Sequence, residues 1–185
     1  MSIQAGFGFG EDVCWSSVNR CVREGPQAPD MLRSRPERIK MRWITRHDVK
    51  VDRVACPWLI KRFVDPEAEF IFVAEDELLS TAARLNAIPF DAPRLAAVKL
   101  NHRGQCCTFE ALIEDYKLTD PALSRMALIV RGADIRGQEH VSAESPGLRA
   151  IAHGFALSGI GDEERLKQEF PIYDALYQYV RRQAS

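Results

Sequence analysis

Apolar positions along this chain fall into two regimes. Over residues 1–40 they number 15, and no helical or strand period lasts ten residues. Gly6, Gly8, Gly10 and Gly25, with Pro26, Pro29 and Pro36, interrupt that stretch repeatedly. Such a pattern predicts a poorly ordered or loosely docked extension, too short and too polar for a separate folded DNA-binding domain. An alternative reading takes Met41 as the natural start. From residue 41 to 185 the apolar positions become periodic, and this part predicts one packed domain.

Within that domain, residues 42–45 (RWIT) read as a short strand. Val54, Trp58, Leu59 and Phe63 then recur on one helical face. Residues 69–73 (EFIFV) alternate and are rich in aromatic and β-branched types, which predicts a strand. Residues 76–86 start acidic and place Leu78, Ala82 and Leu85 in register, which predicts a helix. A strand edge at 88–90 and a further strand at 96–102 follow. The second half is helical: residues 108–116 with Thr108 as N-cap, 121–132 opened by Asp120 and Pro121, 146–158, and 162–183 with a break at Pro171. Interleaved strands and helices followed by helices alone predict an α/β fold. Its small mixed sheet of three to four strands would carry a helical layer or cap formed by the C-terminal half.

Composition narrows the function classes. The 185 residues carry 25 Lys and Arg against 26 Asp and Glu, a net charge of −1, which excludes a polycation that grips nucleic acid through bulk charge. Five cysteines at positions 14, 21, 56, 106 and 107 form neither a disulfide framework nor a paired CxxC zinc ribbon. No run of about 18 apolar residues exists to span a membrane, and the N-terminal stretch does not read as a signal peptide. A reducing, cytoplasmic home is expected. The neutral total conceals one basic run: residues 33–62 hold ten Lys or Arg and three acids. That charge suits a small oxyanion better than RNA, because Trp43 is its only aromatic ahead of residue 58 and stacking needs several.

Candidate chemistry concentrates in KLNHRGQCCTFE (99–110). His102 closes a predicted strand, and Cys106, Cys107 and Glu110 open the next helix. Imidazole, thiolate and carboxylate are all competent metal ligands, and a helix N-terminus lowers a thiol pKa. The same residues also suit a plain capped helix with a surface histidine and a buried thiol. A second cluster is DVKVDRVACPWLIKRF (48–63), where Asp52 could cap a helix. Either the helix starts at Pro57 with Cys56 as its cap, a thiolate held by unpaired N–H groups, or the proline lies within the helical pattern and kinks its first turns. Asp134, just past Gly132 at a helix end, is either functional or a loop acid. His140 and His153 stand alone and read as ordinary surface or core residues.

Five segments together resemble the C-terminal domain of ChrB-type chromate-resistance proteins: DRVACPWLIKRFVDPEAEF (52–70), FD (90–91), HRGQCCTFEALI (102–113), IVRGAD (129–134) and YDALY (173–177). The resemblance runs from about residue 42 to 182. It implies a role in chromate resistance. Longer members carry a DNA-binding region in front of this domain and act as chromate-responsive regulators, whereas residues 1–40 here do not resemble a winged helix. With the residue chemistry above, it implies a metal site of His102, Glu110 and Asp134, with iron or manganese favoured over zinc. Cys56 and Cys107 would be the reactive thiols beside it, and Arg46, Lys50 and Arg53 would orient an oxyanion. The resulting expectation is a domain that is redox-active in chromate or oxidative stress defence. The alternative is a non-catalytic sensor for chromate or a related oxyanion. A homodimer is compatible with either, whether or not turnover occurs.

Overall fold

The computed structural model describes residues 40–184. The expectations for residues 1–39, including the extension and Cys14 and Cys21, lie outside the described residues. Strand β1 (Arg42–Arg46) is followed by helix α1 (Val51–Leu59), which widens into a π turn (Ile60–Val64). Then come β2 (Glu69–Val73), α2 (Leu78–Leu85) and β3 (Ile88–Pro89). Helices α3 (Thr108–Asp115), α4 (Pro121–Asp134), α5 (Ser145–Leu157) and α6 (Asp162–Ala184) build the second half, with a 3-10 turn at Glu139–Val141. The fold is α/β with a helical C-terminal half, as the periodicity predicts.

The three strands are parallel in the order β2-β1-β3, with Trp43 opposite Phe70 and Ile88, and Ile44 opposite Ile71 and Pro89. A central parallel strand is covered on both faces and therefore reads as continuously apolar. Accordingly Trp43, Ile44 and Thr45 are fully buried. Strand alternation sends Trp43 into the large core with Val54, Trp58, Phe90, Phe109 and Tyr173. Ile44 points the other way, into a smaller core with Leu78, Ala82 and Val98 under α2.

Three expectations are revised. Residues 96–102 form turns with one bridge, Phe90 to Leu100, because Pro93 and the turns around it interrupt pairing before a strand can extend. Thr108 is the first helical residue of α3, and Cys107 is its N-cap. Helix α6 runs unbroken through Pro171. Proline removes one backbone bond there, and burial of Leu166, Tyr173 and Val180 offsets the loss. Of the two readings of Pro57, the structure has the second: the proline lies inside α1, and the helix continues into the π turn, where the Asp65 N–H reaches Ile60 O at 2.8 Å. Among the described residues, no helix is long and apolar enough to cross a membrane.

Candidate functional site

In parallel α/β sheets, side chains at the carboxyl ends of the strands meet in a crevice. Here β1 ends at Arg46, β3 runs out through Phe90 to Asp91, and the loop after it carries His102. Helix α1 brings Asp52 on its second residue, and α4 ends on Asp134. His102 Nε2 lies 3.3 Å from Asp52 Oδ2, 3.4 Å from Asp91 Oδ1 and 3.5 Å from Asp134 Oδ2. One ligand atom each from Asp52, His102 and Asp134 lies within 4.8 Å of the others.

Each carboxylate is oriented by a different device. Asp52 sits at the start of α1, yet its oxygens accept the N–H groups of Thr108 at 2.7 Å and Phe109 at 3.2 Å, so it caps α3 rather than its own helix. The Cys56 thiol, one turn along α1, donates to Asp52 Oδ1 at 3.4 Å. Asp134 Oδ1 accepts the Asp52 N–H at 3.3 Å. Asp91 takes the Thr108 hydroxyl on Oδ1 at 3.0 Å and faces Arg53 Nε with Oδ2 at 3.3 Å.

These neighbours set the protonation states. The carboxylates of Asp52 and Asp91 raise His102 to about 10, against the opposing effect of burial. Burial, together with the charges of Asp52 and Asp91, lifts Asp134 to about 7. Burial also works to raise Asp91, but His102, Arg53 and Thr108 outweigh it and hold that carboxyl below the usual range.

Of the expected metal set, His102 and Asp134 come together. Glu110 is engaged elsewhere: its Oε2 accepts the Cys107 N–H at 2.9 Å in a capping box, and its Oε1 takes Arg131 Nη1 at 3.1 Å. Cys56 and Cys107 are both completely buried. Burial and then the Asp52 carboxylate push both thiols well up, an environment that opposes the thiolate form. Of the three oxyanion candidates, Arg46 and Arg53 converge on Asp91, with Arg46 Nη2 at 3.7 Å, while Lys50 is exposed at the N-cap of α1. Asp52 and Asp91 are the site residues that reading for ligands passed over. The signal for Asp91 is an acid directly after an apolar strand, and for Asp52 an acid in the first turn of a helix whose other residues, apart from Arg53, are apolar.

The family model described as ChrB, C-terminal domain, matches residues 43–180. Protein ChrB of Cupriavidus metallidurans is 31% identical over 136 residues, which cover 73% of this chain and 39% of that protein. The chain thus spans well under half the length of this curated relative. No solved structure matches.

Proposed function

The chain belongs to the ChrB C-terminal domain family, and from that premise we propose that it is a metal-holding domain of chromate resistance, at work in the cytoplasm. One observation carries the reading. A single imidazole nitrogen, with at most one proton to donate, faces carboxylate oxygens from three different elements at 3.3, 3.4 and 3.5 Å. Thr108 also donates to the Asp52 and Asp91 oxygens, yet three carboxylates crowd around one shared proton, and a cation among them would neutralise them. Asp52, His102 and Asp134 would hold it, with Asp91 alongside. One nitrogen and carboxylate oxygens suit iron or manganese better than a closed thiolate zinc site. Such a metal supplies redox or Lewis-acid chemistry in defence against chromate or oxidative stress. The chain's own residues orient the carboxylates: the α3 amides fix Asp52, and Thr108 fixes Asp91.

Elemental analysis of the purified protein tests this. About one equivalent of iron or manganese is expected, falling below a tenth in His102→Ala and Asp134→Asn. Glu110→Gln should keep most of the metal, because that carboxylate serves Cys107 and Arg131. A protein that takes up no metal, and whose stability ignores the first two substitutions, would falsify the reading.

A second reading is favoured by the convergence of Arg46 and Arg53 on Asp91. In it the domain recognises chromate or a related oxyanion through these guanidinium groups without turnover.

A further inference from the structure

Three positive groups meet three carboxylates at the carboxyl end of the sheet. Arg46, Arg53 and His102 face Asp52, Asp91 and Asp134 there. Asp91 joins the two halves of this arrangement. Its Oδ2 faces Arg53 Nε at 3.3 Å and Arg46 Nη2 at 3.7 Å. Its Oδ1 takes the Thr108 hydroxyl at 3.0 Å and lies 3.4 Å from His102 Nε2. Its backbone carbonyl accepts Arg46 Nε at 3.1 Å. Its φ of 46° lies in the left-handed region, which a non-glycine residue keeps only when its surroundings hold it there. The side chains of Asp91, Arg53 and Arg46 are 6%, 11% and 22% exposed, so the pair opens to solvent on the Arg46 side.

We propose that Asp91 is a built-in competitor for the oxyanion: it occupies the Arg46–Arg53 pair until a tetrahedral dianion displaces its Oδ2, and so sets the affinity that an anion must exceed to bind. The proposal rests on the oxyanion reading above. A tethered carboxylate competes without losing translational freedom, so it acts at a high effective concentration. A monoanion that replaces it exchanges one negative charge for one and gains little. A dianion brings a second charge and can take paired N–H donors from both planar guanidinium groups. Displacement does not free Asp91, because Thr108 still holds Oδ1 beside His102. Other carboxylates face the same place. Glu75 lies 3.9 Å from Arg46 and 3.5 Å from Arg94, and Asp52 and Asp134 flank His102. They raise the threshold for any anion, but Asp91 is the carboxylate paired with Arg53.

Titration calorimetry at pH 8 and fixed ionic strength tests it, with sulfate and chromate as dianions and perrhenate as a tetrahedral monoanion. Asp91→Asn keeps the size and tolerates the left-handed backbone; Asp91→Gly suits the same backbone and removes the whole side chain. Both should bind sulfate and chromate at least tenfold tighter than the unmodified protein. Perrhenate should stay the weakest ligand in every variant and gain by no larger a factor than the dianions, because the charge removed repels a dianion at least as strongly. Glu75→Gln should tighten binding by less than threefold, and Arg53→Gln added to Asp91→Asn should abolish the gain. Unchanged or weaker binding in folded Asp91 variants overturns the competitor role and leaves the oxyanion reading standing. Loss of bound metal without a gain in anion affinity makes Asp91 a ligand and also overturns it. If neither the unmodified protein nor any variant binds the three anions, the proposal and the oxyanion reading fall together.

Discussion

Glu169, on α6, is 1% exposed, with Oε1 3.5 Å from Arg165 Nε and Oε2 without a partner. Burial lifts its carboxyl to about 7, against the pull of Arg165. A carboxyl raised in the folded state makes that state bind more protons than the unfolded chain between pH 4.5 and 7. Its contribution to stability is therefore full below the unfolded value and declines as pH rises to about 7. Glu169→Gln removes this decline. Melting curves should show the variant gaining on the unmodified protein by about 2–3 kcal/mol between pH 5 and pH 8. A difference that does not change with pH would mean that the carboxyl is ionised throughout. Single residues were legible in sequence as chemical types and not as partners. His102 and Asp134 stood out because one closes a stretch that reads as a strand and the other follows one that reads as a helix. Asp52 reads locally as a cap for α1, and only the fold shows that it caps a helix that begins 56 residues later. Glu110 reads as a ligand in isolation, and Arg131, from another helix, completes its structural role.

Between elements, α4 comes close to the start of α5 at Gly132. A Cβ built on Gly132 would lie 2.8 Å from Ser145 Cβ and 2.9 Å from the Gln138 carbonyl oxygen. The Ser145 hydroxyl, buried there, donates to Ile129 O at 3.0 Å. Gly132→Ala would gain helix propensity of up to about 1 kcal/mol, but overpacking against backbone costs about 1–3 kcal/mol. The net expectation is a melting temperature lowered by about 3–6 °C, at about 2–4 °C per kcal/mol for a domain of this size. An unchanged or raised value would show that α5 can step aside. Because Asp134 closes the same helix two residues later, the packing of α4 also sets where that carboxylate sits. Elements were legible wherever their period was local. β1, β2, α2, α3 and α4 follow from alternation or from 3.6-residue spacing. The stretch 96–102 has strand-like composition but no uninterrupted neighbour to pair with, and α6 survives Pro171 because of packing that no local window contains.

At the scale of the molecule, the parallel sheet is small and the candidate site draws on four separate stretches of chain: α1, the end of β3, the His102 loop and α4. The α/β class with a helical second half was legible from the order of elements alone. The convergence of these four stretches was not, since it depends on which strand ends lie side by side. The Asp52 carboxylate bound to the Thr108 and Phe109 amides spans 56 and 57 residues. Closing a loop of that length costs entropy before its contacts repay it. The expected order of folding is that the first turn of α3 gains its cap after α1 has docked on the sheet. Pulse-labelled hydrogen exchange during refolding should find the Thr108 and Phe109 amides protected after those of β1 and β2, and Asp52→Asn should leave them exchanging about tenfold faster in the native state. Early protection of these amides would show that α3 starts without Asp52. In the expected order, the crevice is among the last parts of the protein to exist, and a chain arrested before that step has a sheet but nothing with which to hold a ligand.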